Sequence, residues 1–210
     1  MFQIFIKGGP IMWPLLLTSI IALTVVIERI IFIVAERRKR QPDVVEKVLS
    51  LVESGRVEAA IAAGKQATDF VARTLAYALA NREKSLSNAL LRAANIELTR
   101  FNRGLSVLDT TITLAPLLGL LGTVTGMIHA FGLLGASELG VPTAITGGIA
   151  EALIATAFGL GIAIVSLLPF NYLNARLEEA RHELEDASTH LELLLVDAQR
   201  KGNAPEKPQP

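Results

Sequence analysis

Three long apolar runs constrain the fold of this chain more than any other feature of its sequence. They cover residues 11–35, 105–136 and 141–170. Each exceeds the roughly 20 residues that an α-helix needs to cross about 30 Å of hydrocarbon. Backbone groups find no water inside a bilayer, so only helices and closed barrels can span it. No segment shows a useful strand pattern, and we therefore predict an all-α integral membrane protein with three transmembrane helices.

The composition agrees with this class and argues against several others. Hydrophobic residues make up 51% of the 210 residues, which is high for a soluble domain. The 20 basic residues balance the 20 acidic ones, so we expect no nucleic-acid partner. The chain has no cysteine, and its three histidines lack metal-ligand spacing, so we expect no metal and no cofactor. Without a nucleophile–base pair or a phosphate loop, the chain is not expected to be an enzyme.

The distribution of basic residues predicts the orientation of the spans. The loop near 135–146 has none, whereas the segment between the first two spans has many, beginning with ERRKR at 36–40. The positive-inside rule therefore places the N-terminus and the 135–146 loop outside and the C-terminus inside. The opening MFQIFIK lacks a basic region and a cleavage site, so the first run is expected to be a retained span.

The spans divide the chain into segments, within which apolar periodicity predicts further helices. Helices are expected over 43–66 with a break at Gly55, over about 70–81, and over 84–108. We expect the last to run unbroken into the second span, so that long helical extensions reach into the cytoplasm. The predicted segments are an outer N-terminus with the first transmembrane helix (1–35), a cytoplasmic helical region (36–106), the second transmembrane helix (107–136), an outer loop with the third transmembrane helix (137–170), a cytoplasmic C-terminal helix that continues it (171–201) and a disordered tail (202–210).

Glu151 is the single charged residue within the third apolar run. A charged side chain at the centre of a membrane helix costs about 2.5–3.5 kcal/mol by insertion scales and usually marks a functional path. At 1.5 Å per residue, Glu151 lies roughly 15 Å from Val141, and Thr156 lies about one and a half turns deeper. Thr123 lies roughly 20 Å from the outer end of the second span. We therefore predict that a carboxylate and two hydroxyls cluster near the midplane and form an ion pathway.

Plainer interpretations of these residues remain open. A membrane threonine commonly donates to a carbonyl one turn back in its own helix, which would account for Thr123, Thr156 and Thr125. Packing would account for His129, so Thr125 and His129 are secondary candidates for the pathway. A protonated Glu151 could serve only as a hydrogen bond between helices.

Small residues recur at helical spacing in the second and third spans. Such residues let membrane helices approach closely. We predict helix packing at four of them, Gly119, Gly122, Gly126 and Gly159.

Two sequence blocks resemble the MotA/TolQ/ExbB proton-channel family. They are APLLGLLGTVTGMIHAF at 115–131 and GIAEALIATAFGLGIAI at 148–164. The opening GGPIMWPLLLTSIIALTVVIERI at 8–30 and the three spans are similar to the ExbB/TolQ branch, whereas the MotA branch has four spans. The resemblance implies an ion-channel subunit of a bacterial inner-membrane motor. It also assigns the ion pathway to Glu151, Thr156 and Thr123.

The resemblance further implies the partners of such a subunit. Members form a homo-oligomer, a pentamer, surrounded by membrane lipids, with two copies of a single-span ExbD/TolR-like protein in the pore. The proton motive force would drive that partner and energise outer-membrane transport or envelope processes. Thr125 stands where many relatives have a bulky tryptophan, and this extra hydroxyl leaves a sodium-driven motor open. A motility-type motor subunit is a further alternative. A non-conducting membrane scaffold is the alternative from another class.

Overall fold

The part of the chain that this computed structural model describes consists of eight α-helices and the short connections between them. That part is residues 2–135 and 142–202, with side chains described over 5–132 and 146–198, and it contains no strand. Residues 136–141 of the predicted outer loop at 135–146 and the predicted tail beyond Gly202 lie outside the described residues, whereas residues 142–146 already belong to a helix. The helices are α1 (Phe2–Lys7), α2 (Met12–Arg38), α3 (Pro42–Glu53), α4 (Val57–Gln66), α5 (Phe70–Ala80), α6 (Arg82–Asn102), α7 (Leu105–Gly135) and α8 (Pro142–Gly202).

Three of these helices are long and apolar enough to cross a membrane. They are found at Met12–Arg38, Leu105–Gly132 and Thr146–Ala198 among the described residues. The predicted all-α class with three membrane-length helices is therefore confirmed. The expected continuation of the third span into the C-terminal helix is also confirmed, because α8 is one helix. The short helix α1 was not predicted.

The chain divides into two compact units. The span unit comprises Met1–Ile31 and Gly104–Asn174, and the polar unit comprises Phe32–Arg103 and Ala175–Pro210. Large apolar side chains of the span unit remain exposed, which is usual for helices that face lipid or other subunits. Examples are Trp13, Leu17, Ile31, Ile128, Val165 and Leu168.

The polar unit has a core built by α3 to α6 and the C-terminal part of α8. The break predicted at Gly55 is confirmed, since this glycine has φ +76° between α3 and α4. Buried residues of α8 recur at alternating three- and four-residue spacing, which places them on one helix face. These are Leu177, Ala180, Leu184, Ala187 and Leu191; the core also contains Val48, Val52, Ala60, Leu75, Leu79 and Leu90.

The predicted unbroken helix from 84 into the second span is wrong. Helix α6 ends at Asn102 and α7 begins at Leu105. The cause is Gly104, whose φ of +81° lies in the left-handed region and terminates a right-handed helix. A β-carbon at this position would lie 3.0 Å from Cγ1 of Val25, so the chain passes close to α2 here.

A buried carboxylate organises one end of the polar unit. The Asp69 side chain is 0% exposed and caps α5 by accepting hydrogen bonds from the N–H groups of Val71 (2.8 Å) and Ala72 (3.3 Å). Its second oxygen accepts from the backbone N–H of Gln41 (2.8 Å) and from Arg40 (2.7 Å). Asp69 therefore joins the start of α3 to the start of α5.

Arg40 continues this network to α8. Its guanidinium lies 2.7 Å from a carboxylate oxygen of Glu183 and 4.7 Å from the centre of the Phe70 ring. Burial raises the pKa of Glu183 above its ordinary value of 4.5; Arg40 opposes this effect, whereas Glu179 and Asp69 add to it. The carboxyl of Glu183 therefore binds its proton more tightly in the folded state than in the unfolded state.

The raised pKa of Glu183 predicts a pH-dependent effect of Glu183→Gln. For a carboxyl whose pKa is raised by folding, stability falls as pH rises from its ordinary value through the folded-state value. Glutamine does not ionise and has no such loss. The melting temperature of the variant, relative to that of the wild type, should therefore rise as the pH is increased from 4 to 7. The shift should be small, because the side chain is 37% exposed. A shift in favour of the wild type would show that the Arg40 pair dominates.

Candidate functional site

Helices α7 and α8 approach each other along small residues of the span unit. A β-carbon on Gly119 would lie 3.0 Å from Cα of Thr156, and one on Gly126 would lie 3.0 Å from the carbonyl oxygen of Gly148. A β-carbon on Gly159 would lie 3.0 Å from Cα of Gly119, and one on Gly122 would overlap Cβ of Ala155. The backbones are therefore in contact over several turns, which sets Glu151 and Thr156 beside α7.

Gly159→Leu is expected to separate α7 from α8. A β-carbon there would lie 2.5 Å from the carbonyl oxygen of Ala115, which is backbone and cannot rotate away. Overpacking of this kind typically costs about 1–3 kcal/mol, and here the whole isobutyl group must also be accommodated. Gly161→Leu is the control, because nothing lies within 4 Å of a β-carbon at that position. Melting temperatures in detergent should fall for the first variant only; equal melting temperatures for both would contradict the packing.

Glu151 lies on one flank of the α7–α8 interface. The carboxylate is 20% exposed, and its oxygen Oε2 lies 3.9 Å from Nδ1 of His129, a side chain that is 65% exposed. On another side, the carboxylate lies against Gly9, which precedes α2. We call Glu151, His129 and Gly9 the carboxyl cluster.

The predicted hydroxyl residues make different hydrogen bonds. The hydroxyl of Thr156 donates across the interface to the carbonyl oxygen of Gly119 at 3.0 Å. The hydroxyl of Thr123 donates within α7 to the carbonyl oxygen of Leu120 at 2.6 Å. Thr125 also bonds within α7, to the carbonyls of Leu121 at 3.1 Å and Gly122 at 3.2 Å.

The carboxyl of Glu151 and the hydroxyls of Thr156 and Thr123 lie on opposite sides of the interface. Glu151 and Thr156 are five residues apart on one helix, so their side chains point about 140° apart. Thr123 lies one turn from Gly119, in the same row of α7 as the carbonyl that Thr156 reaches. The structure therefore places Thr156 and Thr123 on one flank and Glu151 with His129 on the other, rather than all in one group.

Gly9 is a residue of the site that was not predicted from the sequence. This glycine has φ +74°, a conformation that other residues rarely adopt. A β-carbon on it would overlap Oε1 of Glu151 and lie 2.6 Å from Cδ. The signal available in the sequence was the pair Gly8–Gly9 before Pro10, which indicates a turn in the left-handed region.

The carboxyl cluster has the groups needed to bind and pass a proton. A carboxylate and an imidazole can each take up and release one, and the two groups lie 3.9 Å apart. Among the described residues, no group of three His, Cys, Asp or Glu side chains could hold a metal ion. The fold and the site thus define a class: a helical membrane protein with an ionisable side chain inside a span.

The particular family follows from comparison with known proteins. The model of the MotA/TolQ/ExbB proton channel family matches residues 62–186. The protein named ExbB-like 1 of Synechocystis sp. is 39% identical over 197 residues, which cover 90% of this chain and 77% of that protein. ExbB-like 3 of the same organism is 38% identical over 167 residues, or 77% of this chain and 79% of that protein. The chain therefore belongs to the MotA/TolQ/ExbB proton channel family, on its ExbB-like branch.

A more distant relative covers less of the chain. The biopolymer transport protein ExbB of Xanthomonas campestris pv. campestris is 34% identical over 113 residues, which cover 50% of this chain and 45% of that protein. The resemblance seen in the sequence is confirmed at the level of the family and the branch.

Proposed function

We propose that this protein is the ion-channel subunit of an inner-membrane motor in which Glu151 carries protons. The observation that carries this proposal is the half-buried carboxyl of Glu151 beside His129 inside a membrane-length helix. An ionisable group in that position is costly and is usually retained for transport. Membership of a proton channel family supports the same conclusion.

The distribution of charges supports one orientation in the membrane. With basic residues concentrated between α2 and α7, the N-terminus lies outside and the polar unit lies in the cytoplasm. Each proton that crosses 100 mV supplies about 2.3 kcal/mol. Repeated transfers at Glu151 would be sufficient to bias a conformational step in a partner protein.

The motor requires partners that this chain does not include. We propose five copies of the chain around two copies of a single-span ExbD/TolR-like protein, which would couple ion flow to outer-membrane transport or an envelope process. The exposed apolar faces of α7 and α8 support assembly with other helices. These two helices also carry the candidate site, so such an assembly would place the site next to the partner helices.

Native mass spectrometry tests this assembly. The chain is produced together with a single-span ExbD/TolR-like protein that has an aspartate in its span. Five copies of the chain with two of the partner are expected. A stable complex that never incorporates the partner would favour the scaffold over the motor.

Thr156 and Thr123 enter the proposal as a second part of the pathway. Their hydroxyls line up on the other flank of α7 and α8, where Thr156 reaches the carbonyl oxygen of Gly119. Thr125 lies one turn from His129 in the same row of α7, on the flank of Glu151, and its hydroxyl bonds within its own helix. Hydroxyl and carbonyl oxygens can also coordinate sodium, and a comparison of proton flux with sodium flux distinguishes the two ions.

A further inference from the structure

The turn before α2 is built against Glu151. It is closed by hydrogen bonds from the N–H of Gly9 to the carbonyl of Ile6 (3.4 Å) and from the N–H of Met12 to the carbonyl of Gly9 (3.2 Å). Gly9 has φ +74°, and a β-carbon on it would overlap Oε1 of Glu151 and lie 3.0 Å from Cγ. Any side chain at position 9 would therefore occupy space that the carboxyl now fills.

The turn cannot readily move away from Glu151, because both of its sides are packed. Met12 and Leu15 are each 1% exposed and form a core cluster with Ala115 of α7. A β-carbon on Gly8 would lie 2.6 Å from the side chain of Met12 and 3.0 Å from Ile154, so this glycine is also closely surrounded.

An aromatic contact closes the other end of the turn. The rings of Phe5 and Trp13 meet edge to face, with centroids 5.5 Å apart. Such pairs add about 0.5–1.5 kcal/mol beyond the area they bury. The contact joins α1, which precedes the Gly8–Pro10 turn, to the start of α2, which follows it. Both ends of the turn are therefore fixed in position.

We propose that Gly9 is a positioning residue for Glu151. The turn at Gly8–Pro10 covers the carboxyl of Glu151 on the side that faces α2. An ion can therefore reach the carboxyl only from the side of His129. This requires a glycine at position 9, because only glycine combines the left-handed conformation with room for Oε1. The role in ion transfer rests on the function proposed for Glu151, whereas the contact itself does not.

Carbodiimide labelling tests the contact without any measurement of flux. The full chain in its complex is treated with dicyclohexylcarbodiimide, and modification of Glu151 is followed by mass spectrometry of peptides. Gly9→Ala should displace the carboxyl from the turn and raise its labelling rate by about threefold or more. Gly55→Ala is the matched control, since Gly55 has φ +76° and nothing within 4 Å of a β-carbon. Equal labelling rates in the two variants would overturn the proposal.

A second variant pair separates positioning from general damage to the fold. Glu151→Asp withdraws the carboxyl by one methylene, which reduces the overlap with a side chain at position 9, because Oε1 and Cδ lie nearer to that β-carbon than Cγ does. Gly9→Ala should lower proton flux about tenfold with Glu151 in place and less than about threefold with Glu151→Asp in place. The same ratio in both backgrounds would contradict the proposal.

The outcomes also distinguish this inference from the proposed function. If Glu151→Gln conducts as well as the wild type, the proposed function fails, and the labelling rates still decide whether Gly9 positions the carboxyl. If Gly9→Ala alone does not assemble, recovery of assembly by adding Glu151→Asp supports the proposal, and no recovery overturns it.

Discussion

Asp69→Ala is expected to destabilise the polar unit more than any other single substitution outside the membrane helices. The carboxylate is 0% exposed and accepts hydrogen bonds from Arg40, Gln41, Val71 and Ala72. Its removal leaves Arg40 with Glu183 alone and leaves the backbone N–H groups of Gln41 and Val71 without their acceptor. A buried donor left without a partner typically costs about 1–3 kcal/mol. Loss of an N-cap usually costs about 1 kcal/mol on its own. We expect a large fall in the melting temperature of the complex in detergent, together with rapid proteolysis between α3 and α5.

Glu58→Ala is the matched control for Asp69→Ala. Glu58 also pairs with an arginine, Arg82, at 3.2 Å, but its side chain is 82% exposed. Exposed pairs contribute about 0–1 kcal/mol, so the melting temperature should change little. If the two variants melted at the same temperature, the buried network around Asp69 would not be the structural centre of the polar unit.

The membrane spans could be predicted because length and hydropathy alone determine them. Glu151 could be singled out by the same reasoning, since a charge within an apolar run is costly whatever surrounds it. The break at Gly104 was missed because apolar residues at 98, 101 and 105 continue one helical face across it. Periodicity reports which face is buried, whereas the backbone conformation of one glycine decides whether the helix continues.

The arrangement of the candidate site was predicted only in part. Depth along a helix follows from residue number, and it brought Glu151, Thr156 and Thr123 to similar levels. The direction of a side chain around the helix axis also follows from residue number, and it separates Glu151 from Thr156. Which side of the α7–α8 interface each residue occupies, however, can be stated only when the interface is known. Gly9 could not be paired with Glu151 from the sequence, because their contact depends on how the turn before α2 packs.

Proton flux into liposomes tests the central claim most directly. The chain is reconstituted with its single-span partner, a pH gradient and a potential are imposed, and wild type is compared with Glu151→Gln. Asp109→Asn is the control, because Asp109 is an exposed carboxylate near the other end of the same spans. A sodium gradient in parallel liposomes identifies the ion.

We expect Glu151→Gln to lower proton flux by about a hundredfold or more, because the group that carries the proton is removed, and we expect Asp109→Asn to conduct normally. Sodium flux that depends on Glu151 would show that the protein is a channel subunit whose transported ion is sodium rather than the proton. Proton flux in Glu151→Gln equal to that of the wild type would contradict the central claim.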